Sequence, residues 1–158
     1  MTLSATSHGR PEVASLLHAL DALHRAAQGG ALPRTLQGKH LCLLGATRVA
    51  YAALVFRDAG RELGAQVTEL DPERLALVSD HDVARCGRML GRLYDAVDCE
   101  GLAPALVDRL RASAGVPVYD GLALDMRLVA CLSGDLAAAT PEEQHRRVVQ
   151  AVLVSALA

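Results

Sequence analysis

The segment GKHLCLLGATRVAYAALVFRDAGRELG, residues 38 to 64, constrains the fold more than any other part of the chain. Leu41, Cys42, Leu43 and Leu44 form a short unbroken apolar run, which suits a strand covered on both faces. Gly45 ends the run. Thr47 is of the type that caps helices, and Ala52, Val55, Phe56, Ala59 and Leu63 then recur at spacings of three and four. Gly64 supplies a C-terminal stop. A strand feeding a helix through so tight a turn leaves free helix N–H groups at the end of a sheet, where many α/β proteins hold phosphate.

The same alternation runs through the rest of the chain. Residues 1 to 9 read as a loose tail, and Pro11 opens a helix. Its apolar stripe is Val13, Leu16, Leu17, Leu20 and Leu23, closed by Gly29-Gly30. Ala65 to Leu70 is a second strand, ended by Asp71-Pro72. Asp80 or Asp82 starts a helix carrying Val83, Gly87, Leu90 and Leu93, and Tyr94 to Cys99 is a third strand. Pro104 opens a helix that turns Leu106, Val107 and Leu110 inward before Gly115 stops it. Val116 to Tyr119 is a fourth strand, ending at Asp120-Gly121. Leu122 to Leu132 is helical up to Ser133-Gly134. Thr140-Pro141-Glu142-Glu143 then carries a capping-box signature ahead of Val148, Val149, Val152, Leu153 and Leu157. A terminal helix that apolar, over residues 139 to 158, must dock on the domain or on a partner. The expected fold is one α/β domain over residues 10 to 158. It is a three-layer sandwich in which a four-stranded, mostly parallel sheet carries helices on both faces and the terminal helix packs back.

Composition narrows the function. A chain of 158 residues can bury a core without staples. With no Trp and a single Phe, Phe56, that core is built from Leu, Val and Ala. The formal net charge of −2 and fifteen scattered arginines offer no nucleic-acid surface. No apolar run approaches the roughly 20 residues that span a bilayer. MTLSATSHGR has no hydrophobic signal core, so a cytoplasmic location is expected. Cys42, Cys86, Cys99 and Cys131 form no CxxC pair and read as buried reduced thiols. His18 and His24 lie six apart and share no helix face, and no metal or cofactor is expected.

Three segments together resemble the ornithine and aspartate carbamoyltransferases, the ornithine type more closely. They are GKHLCLLG with LVFRDAGRELGA, DVARCGRMLGRLYDAV, and VDRLRASAGVPVYDGL. The likeness covers about residues 10 to 132, the family's carbamoyl-phosphate domain, and HRRVVQAVLVSALA is similar to its C-terminal helix. The resemblance implies that the amino-acid-binding domain between them is missing. It also implies a trimer formed through this domain, of identical chains or mixed with an active homologue, and a transferase ancestry in amino-acid metabolism.

In that family an S-T-R-T-R motif at the helix start grips carbamoyl phosphate, since a dianion needs arginine and hydroxyl donors beside free N–H groups. Ungapped matching of Gly38-Lys39 and Phe56 puts the motif on Val49, Ala50, Tyr51, Ala52 and Ala53, which removes all five donors. The family's arginine after the third strand falls on Glu100, a reversal of charge. Its H-P-x-Q element falls on Arg127, Leu128, Val129 and Ala130, and the loop lent by a neighbouring subunit reads Val78-Ser79-Asp80-His81-Asp82. A set of losses of about 1.5–3 kcal/mol each abolishes tight binding in that mode. The expectation is a non-catalytic or regulatory subunit. The alternative is a small anionic-metabolite binder, or a residual carbamoyltransferase-related enzyme, with a pocket built from Thr47, Arg48 and Arg127, unless these arginines are solvated or neutralised by Glu100. His81 and Asp82 can be an acid–base pair or the ordinary furniture of a helix start.

Overall fold

The computed structural model describes residues 12–45, 50–75, 77–132 and 139–158. The described elements are α1 (Val13–Gln28), β1 (His40–Gly45), α2 (Ala50–Glu62), β2 (Gln66–Leu70), α3 (Asp80–Leu93), β3 (Ala96–Glu100), α4 (Pro104–Ala114), β4 (Val118–Asp120), α5 (Met126–Leu132) and α6 (Pro141–Leu157). Short 3-10 turns at Pro72–Leu75 and Leu122–Leu124 join β2 to α3 and β4 to α5.

All four strands are parallel, in the order β2-β1-β3-β4. Central β1 is buried from Leu41 to Leu44, as its unbroken apolar run requires. Alternation then sorts the side chains into two cores. Leu41, Leu43 and Ala96 meet Leu20 and Leu23 of α1, Val55 and Phe56 of α2, and Val149 and Leu153 of α6. Cys42, Leu44, Val97 and Cys99 meet Val83, Cys86 and Leu90 of α3 and Val107 and Leu110 of α4. The result is the expected three-layer arrangement with α6 returned to the domain.

Several local expectations are corrected. Helix α3 starts at Asp80, one of the two expected positions, and the residue that caps it is Ser79. Its hydroxyl accepts the Asp82 N–H while the Asp82 carboxylate accepts the Ser79 N–H, a reciprocal capping box. Tyr94 belongs to the end of α3, where its N–H donates to the Leu90 carbonyl, so the third strand starts at Ala96. The second strand likewise begins at Gln66 and the fourth at Val118. The helix expected from Leu122 is divided at Asp125, whose carboxylate caps α5 by accepting the Leu128 N–H at 3.0 Å. Val13, Leu17 and Leu93 face outward and the Cys131 thiol is exposed rather than buried, whereas Leu106, half-buried, packs against the core as expected.

The terminal helix docks through polar as well as apolar groups. Gln150, fully buried, donates from Nε2 to the Ala59 carbonyl at 3.3 Å and to Glu62 at 2.8 Å. Arg147 donates to Oε1 of the Gln150 side chain at 2.6 Å, and both Arg146 and Arg147 reach Glu62.

Candidate functional site

The sheet's carboxyl end is where the β1 run stops and α2 begins. There Gly45 of β1 lies level with Glu100 of β3. Thr47, Arg48 and Val49 lie outside the described residues, as does the side chain of Ala50. The three remaining positions matched to the phosphate grip are engaged elsewhere. Tyr51 places its hydroxyl 2.8 Å from Nδ1 of His145 on α6, with the two rings edge to face. Ala52 is fully buried and Ala53 packs half-buried against the same core. The first turn of α2 thus serves the α6 interface and the core.

The most unusual chemistry lies on β3. Asp98 and Glu100 are two residues apart, so both project from the same sheet face as Ala96, and Tyr119 lies level with Asp98 on β4. Asp98 has no exposed surface and Glu100 only 2 %. Oδ1 of Asp98 accepts the Leu122 N–H at 2.9 Å. Apart from the hydrogen bond that the two carboxyls share, Asp98 Oδ2 and Glu100 Oε1 find no partner, and neither does the Tyr119 hydroxyl. Burial, and then the charge of Glu100, push the Asp98 carboxyl well above the usual carboxylate range. Burial raises Glu100 too, though the Asp98 hydrogen bond works against that. No ion pair to Glu100 occurs among the described residues, and Arg127 stands exposed in the first turn of α5. The rest of the H-P-x-Q counterpart is equally idle: Leu128 and Val129 pack, and Ala130 is exposed.

Other candidates resolve into structure. Asp82 is held below the usual carboxylate range chiefly by the Ser79 hydroxyl, which assigns it to capping rather than to acid–base work with the exposed His81. Burial pushes the Cys42 thiol up to about 12, so it is no thiolate nucleophile. Among the described residues no cluster of three or more His, Cys, Asp or Glu is placed to hold a metal, and no helix is long and apolar enough to cross a membrane. Asp98, Tyr119 and His145 escaped the sequence reading. Only Asp98 had left a trace there, as a charge inside the otherwise apolar AVDC run.

No family model matches the chain. It is 32 % identical over 120 residues to an ornithine carbamoyltransferase of Actinobacillus pleuropneumoniae, covering 76 % of this chain and 36 % of that protein. It is 35 % identical over 111 residues to a catabolic ornithine carbamoyltransferase of Mycoplasma capricolum, covering 70 % and 36 %. The chain belongs to the ornithine and aspartate carbamoyltransferase family. It spans about a third of the length of these curated relatives. The solved ornithine carbamoyltransferase of Pyrococcus furiosus superposes with a TM-score of 0.64 at 24 % identity, over 76 % of this chain and 41 % of that one. That likeness gives the carbamoyltransferase fold to the four-stranded sheet and its helices.

Proposed function

We propose that this chain is a carbamoyltransferase-like domain that does not grip carbamoyl phosphate in its family's manner and works in the cytoplasm by association rather than catalysis. Glu100 carries this reading. Where the resemblance calls for an arginine, the chain buries a carboxyl beside a second one, with no cation on either among the described residues. A phosphate dianion at the start of α2 meets like charge in a desolvated setting, where repulsion is least screened. Tyr51, Ala52 and Ala53 add no free donor to offset it.

Association has its own support. Val78 is 89 % exposed in the loop before α3, the loop that the resemblance sends to a neighbouring subunit, and Leu54 is exposed on α2. Apolar side chains so placed fit a trimer of identical chains or a mixed assembly with an active homologue.

Calorimetric titration with carbamoyl phosphate beside inorganic phosphate tests the first half. The expected result is no saturable heat from either. Micromolar binding that Arg48→Ala weakens about tenfold or more overturns it and assigns an anion pocket to Thr47, Arg48 and Arg127. Sedimentation velocity tests the second half. A trimer, or co-sedimentation with an ornithine carbamoyltransferase, is expected, and a monomer under both conditions refutes association.

A further inference from the structure

Helix α3 buries one stripe and displays another. Val83, Cys86, Gly87 and Leu90 face the sheet and α4. Arg85, Arg88, Met89, Arg92 and Leu93 follow one another at helical spacings along about two turns, so they share a second face. The outer face of a domain helix is ordinarily polar throughout. Here Met89 is 39 % and Leu93 59 % exposed, set among arginines.

This stripe forms one wall of a groove of about 660 Å³, whose other wall is Ser113 and Ala114 at the end of α4. Gly91 makes the floor. A Cβ added there would lie 1.7 Å from the Ala114 carbonyl oxygen, so the helices meet backbone to backbone with no side chain between them. Every charged side chain lining the groove is an arginine. Arg85 pairs with Asp82, whereas Arg88 and Arg92 have no carboxylate partner among the described residues. The groove is therefore a basic and apolar patch on a chain whose formal net charge is −2.

We propose that the α3/α4 groove docks an acidic amphipathic helix of a partner protein. Its carboxylates meet Arg88 and Arg92, and its apolar side chains cover Met89 and Leu93. Charge complementarity selects the acidic partner. The alternation of arginine with apolar side chains selects a helix, because carboxylates and apolar groups at spacings of three and four on one helix match those on another. A lone phosphate uses the arginines and leaves Met89 and Leu93 in water. Nucleic acid would want stacking aromatics, which the groove lacks. The inference does not rest on the proposed loss of phosphate binding, since the groove lies where α3 and α4 lead into β3 and β4, away from the carboxyl end of the sheet.

The probe is a fluorescein-labelled helical peptide of about 20 residues, built from Glu, Leu and Ala with Leu at spacings of three and four. Its binding to the full chain is followed by fluorescence anisotropy near physiological salt. Saturable binding is expected, weakened about tenfold or more by Arg88→Glu with Arg92→Glu and about threefold or more by Met89→Ser with Leu93→Ser. Arg61→Glu with Arg74→Glu changes the net charge equally at exposed positions elsewhere and leaves affinity within about twofold. All these side chains are exposed, so thermal midpoints stay unchanged and folding is not in question. The proposal is overturned by absent saturation, by a control pair as damaging as the groove pair, by serine variants that bind like the parent, or by a single-stranded oligonucleotide that displaces the peptide at equal concentration.

Discussion

Asp98 and Glu100 ask why a chain would bury two carboxyls side by side near the end of a central strand. Part of the answer is local. The Leu122 N–H, just beyond β4, needs an acceptor, and Asp98 Oδ1 supplies it. The remaining oxygens gain little, and a buried acid without full hydrogen bonding costs about 1–3 kcal/mol. The sign of the resulting pH dependence follows from the direction of the shift. Burial raises the folded-state affinity of Asp98 for its proton above the unfolded value near 3.8. Its contribution to stability is therefore fully present below that value and is lost as pH rises through the folded one. Asp98→Asn keeps the acceptor for Leu122 and places an amide donor toward Glu100. Urea titrations should find the variant more stable than the parent at neutral pH, by about 1–2 kcal/mol, with the gap closing toward pH 4. A variant less stable at every pH would show that both oxygens of Asp98 have partners worth keeping. Reading residues from sequence reached Glu100, because its flanks fix its position at a strand end. It missed Tyr119 because their juxtaposition is made by the β3–β4 register, which no local pattern encodes.

Elements were more legible than residues, and where they were misread the cause was tertiary. Strand β1 and helices α2, α4 and α6 came out as their apolar periods and stop signals say, and the Thr140 capping box lies where its sequence puts it. Leu93 was misplaced because period alone cannot tell the last inward turn of a helix from the first outward one. Helix α3 also carries a feature that composition hides. Gly87 and Gly91 both face α4, but what opposes them differs. A methyl at Gly91 meets the Ala114 carbonyl oxygen at 1.7 Å, and main chain cannot step aside without moving α4. A methyl at Gly87 meets first the Ser113 hydroxyl, at 1.9 Å, which can rotate, although the Leu110 carbonyl and Ser113 Cβ follow at 3.0 Å. Gly91→Ala should cost about 3 kcal/mol, toward the top of the range for overpacking, and Gly87→Ala about 1 kcal/mol. Denaturation midpoints at a shared slope decide it, and equal costs would mean that α4 yields as a rigid body to either methyl.

At the scale of the whole molecule, α6 is the element whose attachment decides how the rest behaves. It enters far along the chain, yet its inner face completes the core between α1, α2 and β1, and Leu153 is fully buried within it. Gln150, Arg146 and Arg147 converge on Glu62 at the end of α2, which fixes the register of the two helices more sharply than Val and Leu contacts alone would. Two outcomes are then distinguishable. If α6 were an appendage, Leu153→Ala would loosen α6 and leave the sheet as it was. If it shares the core, the variant should lower global stability by about 2–5 kcal/mol in one cooperative transition. Native-state hydrogen exchange separates the two. Protection should fall by the same free energy in β1, α2 and α6, because all three open only when the common core opens. Loss confined to α6 would mean that the sheet and its other helices hold together without it, and that the Glu62 network is a latch rather than part of the fold.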